Sequence, residues 1–149
     1  MSFINGSSFL LGLVLSMGVL SEVPMVAMAA NGSKFSFFPA VTVEIFNKLP
    51  LGATFTIHCK SKDDDLGTHE VGTGQSYSFH FKVNFWGTTL FFCRASHEGN
   101  NVDFEIYRAS RDDTDRCPDY CMWVANGDGI MGYPESSSEK PDIVIPWKR

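Results

Sequence analysis

The stretch VTVEIFN, Val41 to Asn47, decides the fold. Val41, Val43 and Ile45 alternate with Thr42, Glu44 and Phe46. That is a period of two residues, which lays one set of side chains on a single face of a strand. Four of these residues, Val41, Thr42, Val43 and Ile45, are β-branched, which favours a pleated backbone over a helix. The same period recurs downstream. In TFTIHC, Phe55, Ile57 and Cys59 share one face, with Thr54, Thr56 and His58 on the other. In QSYSFHF the apolar set is Tyr77, Phe79 and Phe81, with His80 on the polar side. TTLFFCRA and VDFEIYRA repeat the pattern, and Cys93 falls in register with Phe91.

Turn chemistry separates these runs: LPLG, KDDDLG, GTG, HEGNN, SRDDTD and NGDG. Five or six strands at short spacing, with no amphipathic helix, predict an all-β fold, a small antiparallel sandwich occupying residues 41–133. Residues 30–40 read as a leader. The tail, residues 134–149, opens with the polar linker Pro134 to Pro141 and closes with DIVIPW, which can add an edge strand stopped by Pro146.

The chain has 149 residues, enough for one core, and 13 phenylalanines to fill it. Its formal charge of −5 argues against nucleic acid, whose phosphates demand a basic face. No repeat at a solenoid or propeller period is present. Phe9 to Leu20 (FLLGLVLSMGVL) is an apolar run of signal-peptide length, too short to span a bilayer. Ala27 and Ala29 then fit the small-residue cleavage rule, so residues 1–29 read as a signal peptide, although no Lys or Arg precedes Lys34. Cleavage there removes Glu22 and no base, and the formal charge becomes −4. Membrane insertion is not expected, and a monomer is. Asn31-Gly32-Ser33 is a glycosylation sequon just past the cut; Asn5-Gly6-Ser7 is another, lost with the signal peptide.

All four cysteines, Cys59, Cys93, Cys117 and Cys121, lie beyond the cut. In an exported domain an even set reads as two disulfides, for which three pairings exist. Cys59 with Cys93 is favoured, because both sit on core-facing strand positions; crossed pairings to Cys117 and Cys121 stay open. The Cys117-x3-Cys121 spacing also suits structural zinc, but Cys59 and Cys93 stand singly in strands, and thiols in an oxidising compartment pair with one another. No metal or other cofactor is therefore expected. Asp63-Asp64-Asp65-Leu66-Gly67 lacks the spaced ligands and closing Glu of a calcium loop, and reads as a solvated turn. His58, His69, His80 and His97 show no spacing that pairs them, and no nucleophile elbow or zinc-protease motif occurs, so no catalytic residue is assigned. Trp86, in a short connector after Phe85, is expected in the core, and Trp123 is expected to pack over a disulfide.

The order VEIFNKL, HCKSKDDDLGTH, GQSYSFHF, TTLFFC, FEIYRASRDD and Cys117-x3-Cys121-x-Trp123 resembles the plant self-incompatibility proteins, the stigma S proteins and their homologues. The resemblance covers about residues 41–130. It implies a secreted, disulfide-bonded β-sandwich without catalysis, acting as an extracellular ligand for a cell-surface receptor protein. HEGNN is smaller and more polar than the matching segment of many relatives, and the tail after Met131 is longer. Both differences fall on surface segments, where partner specificity is written. The candidate recognition loops are accordingly Asp63, Asp64, His97, Glu98, Asn100, Asn101, Arg111 and Asp112. A sugar- or cell-wall-binding module using Trp86, and a hydrolase or ribonuclease using two close histidines, are the competing readings.

Overall fold

The computed structural model describes residues 40–149; the expected signal peptide and the Asn31 sequon lie outside the described residues. Nine strands follow in order: β1 (Ala40–Asn47), β2 (Phe55–Lys60), β3 (Asp65–Val71), β4 (Ser76–Lys82), β5 (Leu90–His97), β6 (Asn100–Arg108), β7 (Tyr120–Ala125), β8 (Gly129–Tyr133) and β9 (Ile143–Pro146). They form two sheets, ordered β4-β1-β7-β8-β9 and β3-β2-β5-β6. The fold is all-β, with more strands than the period-two runs alone reveal. Strand β3 contains Gly67, and β8 is short and buried over its first four residues, so neither alternates visibly. One pairing departs from the antiparallel expectation: β1 runs parallel to β7. A long connection, residues 109–119, makes that possible, since parallel neighbours cannot be joined by a tight hairpin.

The alternation in β1 is realised in full. Val41, Val43 and Ile45 are each 0% exposed, facing Phe55, Ile57, Val102 and Ile106 in one buried cluster. Edge strand β4 is looser: Tyr77, Phe79 and Phe81 are only half-buried, yet they form a ladder of rings that continues to Phe91 and Tyr107. The two sheets also touch along both flanks of the sandwich. On one side His69 of β3 stacks on Tyr77 of β4 with ring centroids 4.1 Å apart. On the other, the Asn101 amide donates to the Lys148 carbonyl (2.8 Å) and the Lys148 amide returns a bond to Asn101 (3.0 Å).

The disulfides join Cys59 to Cys93, directly opposite on β2 and β5, and Cys117 to Cys121 at the entry to β7. Trp123 is fully buried, in ring contact with Phe104 and with the guanidiniums of Arg116 and Arg111 at 5.2 and 5.9 Å. Gly132 permits this arrangement. A Cβ there would meet the Trp123 ring at 2.8 Å and the Arg116 guanidinium at 2.6 Å.

Two expectations need correction here. The SRDDTD segment is not an open turn: Ala109–Arg111 and Asp112–Arg116 are helical, and Asp112 is 0% exposed. Its carboxylate accepts from the Arg108 amide (2.7 Å), from Arg111 through Nε (2.8 Å) and NH2 (2.7 Å), and from Arg116 (3.3 Å). Asp112 is thus a structural anion and offers no surface contact. Trp86 is the opposite case. It is 80% exposed rather than in the core, because Asn84 and Gly87 turn the chain around it.

Candidate recognition surface

Strand directions place the loops at two ends of the sandwich. Residues 48–54, 72–75, 98–99 and 126–128 share one end with Trp147 and Lys148. Residues 61–64, 83–89, 109–119 and 134–142 share the other. The expected recognition residues are therefore divided. His97, Glu98, Asn100 and Asn101 lie at the first end; Asp63, Asp64, Arg111 and Asp112 at the second.

At the first end, Glu98 (φ 48°) and Gly99 (φ 78°) form a two-residue hairpin turn between His97 and Asn100. Both central residues at positive φ match the twist of the flanking strands. Glu98 is exposed, whereas Asn100 and Asn101 already belong to β6. The His97 side chain is only 9% exposed, with its ring 5.2 Å from Trp147. Asn47 shapes the neighbouring loop: its buried amide donates to the carbonyls of Ala53 and Val71 (both 2.9 Å), and its oxygen accepts from the Leu49 amide (2.8 Å). The loop tip presents Leu51 fully to solvent at φ 58°, a strained conformation for a side chain of that size.

At the second end, Ser61 rather than an aspartate caps the acidic turn. Its Oγ accepts from the amides of Asp63 (3.3 Å) and Asp64 (3.0 Å) and donates to Asp64 Oδ2 (3.5 Å), and both carboxylates are exposed. Asp65 accepts from the Gly67 amide (2.9 Å) and from His58 Nε2 (2.6 Å). The Gly67 bond first, and then His58, hold the Asp65 carboxyl below its ordinary range. The next loop is built by Asn84: its oxygen accepts from the Thr88 amide (2.8 Å), its Nδ2 donates to Thr88 Oγ1 (2.8 Å), and its amide donates to Thr89 Oγ1 (2.9 Å). At the tip stand Phe85 (73% exposed) and Trp86, their rings perpendicular with centroids 5.2 Å apart. Between this loop and the acidic turn lies a cleft of about 600 Å³, whose lining includes Phe81, Leu90, Phe91 and Phe92. The polar tail linker is pinned at this end too. Arg116 donates twice to Asp142 (2.8 and 2.9 Å), and Glu135 accepts from the amides of Asp119 and Tyr120 (both 3.1 Å). The signals for Arg116 and Asp142 were faint, an acid–base pair four residues apart and an Asp after a proline.

His58 with Asp65 is a histidine–carboxylate pair, but the shallow cleft beside it, lined by His58, Lys60, Phe92, Arg94 and Asp103, holds one histidine and no hydroxyl or thiol nucleophile. Arg94 and Asp103 there satisfy each other through two bonds of 2.7 and 2.8 Å, which lowers the carboxyl and raises the guanidinium. Asp112 lies close to the sulfurs of Cys117 and Cys121, but disulfide sulfurs offer no thiolate to a metal, and the carboxylate is already taken by arginine.

The described residues thus form a disulfide-braced β-sandwich with hydrogen-bonded loops at both ends. The family model described as plant self-incompatibility protein S1 matches residues 42–147, and the chain belongs to this family. It is 38% identical over 100 residues to "Self-incompatibility protein S1" of Papaver rhoeas, covering 66% of this chain and 72% of that protein. It is 45% identical over 111 residues to "S-protein homolog 5" of Arabidopsis thaliana, covering 74% and 81% respectively. A solved structure of SPH proteins, described as small, highly stable, secreted proteins from plants, shares the fold with a TM-score of 0.57 at 19% identity, over 75% of this chain and 97% of that one.

Proposed function

We propose that this protein is an exported signalling ligand, read by a cell-surface receptor protein through the loops at the ends of the sandwich. Family membership across residues 42–147, with a self-incompatibility protein among the relatives, is the observation that carries this reading. Export is supported by the apolar run Phe9–Leu20 and by two disulfides, which persist in oxidising compartments. Action by binding is supported by membership of a family that includes a self-incompatibility protein.

Preorganised loops favour recognition, since little ordering entropy remains to be lost on binding. Asn47, Ser61 and Asn84 each fix one loop by bonds to its own backbone. The test is binding of the purified, disulfide-intact protein to living plant cells. Saturable binding that protease treatment of the cells abolishes supports a receptor protein. Binding that survives the protease contradicts it.

A further inference from the structure

We propose that this protein self-associates through the open edge of β4, two copies of Ser76–Lys82 pairing antiparallel about a two-fold axis at Phe79. This inference is independent of the receptor reading. An edge strand presents unpaired N–H and C=O groups, and β-proteins blunt such edges by shortness, proline, bulges or cover. Among the described residues, three of the four sheet edges are blunted in these ways. Strand β9 has four residues and ends in Pro146. Strand β3 carries Gly67 at φ 75° and a register shift in its pairing with β2. Strand β6 is partly covered, by Lys148 on the main chain of Asn101 and by Arg111, whose guanidinium donates to the Glu105 carbonyl (3.2 Å). Strand β4 is the exception. It runs for seven residues without glycine or proline, in unbroken register with β1, and its one lysine, Lys82, stands at its last position.

The hydrogen bonds of β1 show which groups of β4 are open. The Asn47 amide donates to the Gln75 carbonyl (2.9 Å), whereas the Thr42 and Lys48 amides donate on the β7 side, to Asp119 (2.9 Å) and Ala125 (2.8 Å). Odd-numbered residues of β1 therefore face β4, and their partners Tyr77, Phe79 and Phe81 direct their main-chain groups at β1. The amides and carbonyls of Ser78 and His80 point the other way, where no described strand pairs with them. The core is unfinished along the same edge. The rings of Tyr77, Phe79 and Phe81 face inward but are only half-buried, while their partners Ile45, Val43 and Val41 are fully buried.

Self-complementarity selects a second copy as the occupant. Pairing about Phe79 sets Ser78 opposite His80 and Ser76 opposite Lys82 on the outer face, so no like charges meet across the axis. Lys82 also comes near a carboxylate, because the Ser76 hydroxyl it faces is bonded to Glu44. On the inner face the pairing sets Tyr77 opposite Phe81 and Phe79 opposite its own copy, at the closer spacing of non-hydrogen-bonded pairs, which covers the half-exposed rings. Two such strands make about eight main-chain hydrogen bonds along a ribbon about 24 Å long. That is smaller than a permanent dimer interface, so the association is reversible.

The test uses the secreted protein with its disulfides intact, from about 5 to about 500 µM, a range that brackets a micromolar Kd. Analytical ultracentrifugation reads the assembly, and amide hydrogen exchange resolved by residue reads the surface. The expected result is a monomer–dimer equilibrium in which the Ser78 and His80 amides exchange about tenfold more slowly in the concentrated protein. The Phe79 amide, already directed at β1, does not change. Ser78→Pro removes one outward N–H and no bond to β1, at a kind of position where an edge strand tolerates proline, and should weaken dimerisation about tenfold or more. Two charge variants test the register whatever proline does to the fold. Ser78→Lys with His80→Lys sets like charges opposite each other and should abolish the dimer; Ser78→Asp with His80→Lys sets opposite charges together and should keep or tighten it. A monomer at every concentration overturns the proposal, as does a dimer that responds alike to both charge variants or is untouched by Ser78→Pro. So does a dimer whose Ser78 and His80 amides stay unprotected, or protection of those amides already present in the monomer.

Discussion

Replacing Asp112 by Asn tests whether the helical segment between β6 and β7 is a structural keystone or the surface loop its sequence resembles. The substitution preserves shape and removes charge. It strips the shared counter-charge from Arg111 and Arg116, whose side chains are 29% and 7% exposed. Removing one partner of a buried pair costs about 3–5 kcal/mol. Arg116 keeps its two bonds to Asp142, so the lower figure, about 3 kcal/mol, applies. For a domain of this size each kcal/mol moves the midpoint by about 4 °C, giving a fall of about 12 °C. The assay is thermal unfolding followed by far-UV circular dichroism under non-reducing conditions. Asp63→Asn is the control, since its carboxylate lies in solvent; it should move stability by about 0.5 kcal/mol or less. A fall of about 2 °C or less for Asp112→Asn, the shift of a surface residue, would refute the reasoning.

Two other perturbations follow from the same structure. Loop-closure entropy assigns about 4 kcal/mol to Cys59–Cys93, with its sequence separation of 34, and about 2 kcal/mol to Cys117–Cys121, with a separation of 4. Paired Cys→Ala variants compared by urea unfolding should rank in that order, and the reverse ranking would contradict the entropic account. Burial first, then the charges of Asp113 and Asp112, pushes the Tyr107 hydroxyl well above its ordinary value of 10.0. A raised folded pKa means this contribution is intact below pH 10 and is lost as the pH climbs above it. Tyr107→Phe should therefore leave stability at pH 7 within about 1 kcal/mol and resist alkaline unfolding better than the parent, as read by stability curves from pH 7 to about 11.

How much of this was legible in sequence depends on how local the cause was. Val41, Val43 and Ile45 pack as their alternation foretells, because one sheet face meets one core. Cys59 and Cys93 sit opposite each other for the same reason, as two inward positions on neighbouring strands. Asp112 was misread because SRDDTD has turn composition, and its three arginine-borne bonds form only when the segment coils against Trp123. Trp86 was misread in the other direction. Large aromatics usually pack inside, and nothing local shows that Asn84 bonds forward to Thr88 and lifts the tip away. The division of the recognition residues between two ends is a property of strand direction, which depends on the long-range pairing of β1 with β7.

The central claim is that the core sets stability while the end loops carry recognition, and an alanine scan read twice tests it most directly. Ile57 and Ile106, both fully buried, and the exposed loop residues Asp63, Asp64, Glu98 and Trp86 are replaced one at a time. Each variant is measured for thermal midpoint and for binding to responsive cells. The core variants should lose about 2–5 kcal/mol and, below their melting temperature, still bind. Some loop variants should lose binding while their midpoints stay within about 2 °C of the parent. If every loop variant binds normally, and binding falls only in step with lost stability, recognition does not reside in the loops and the account is wrong.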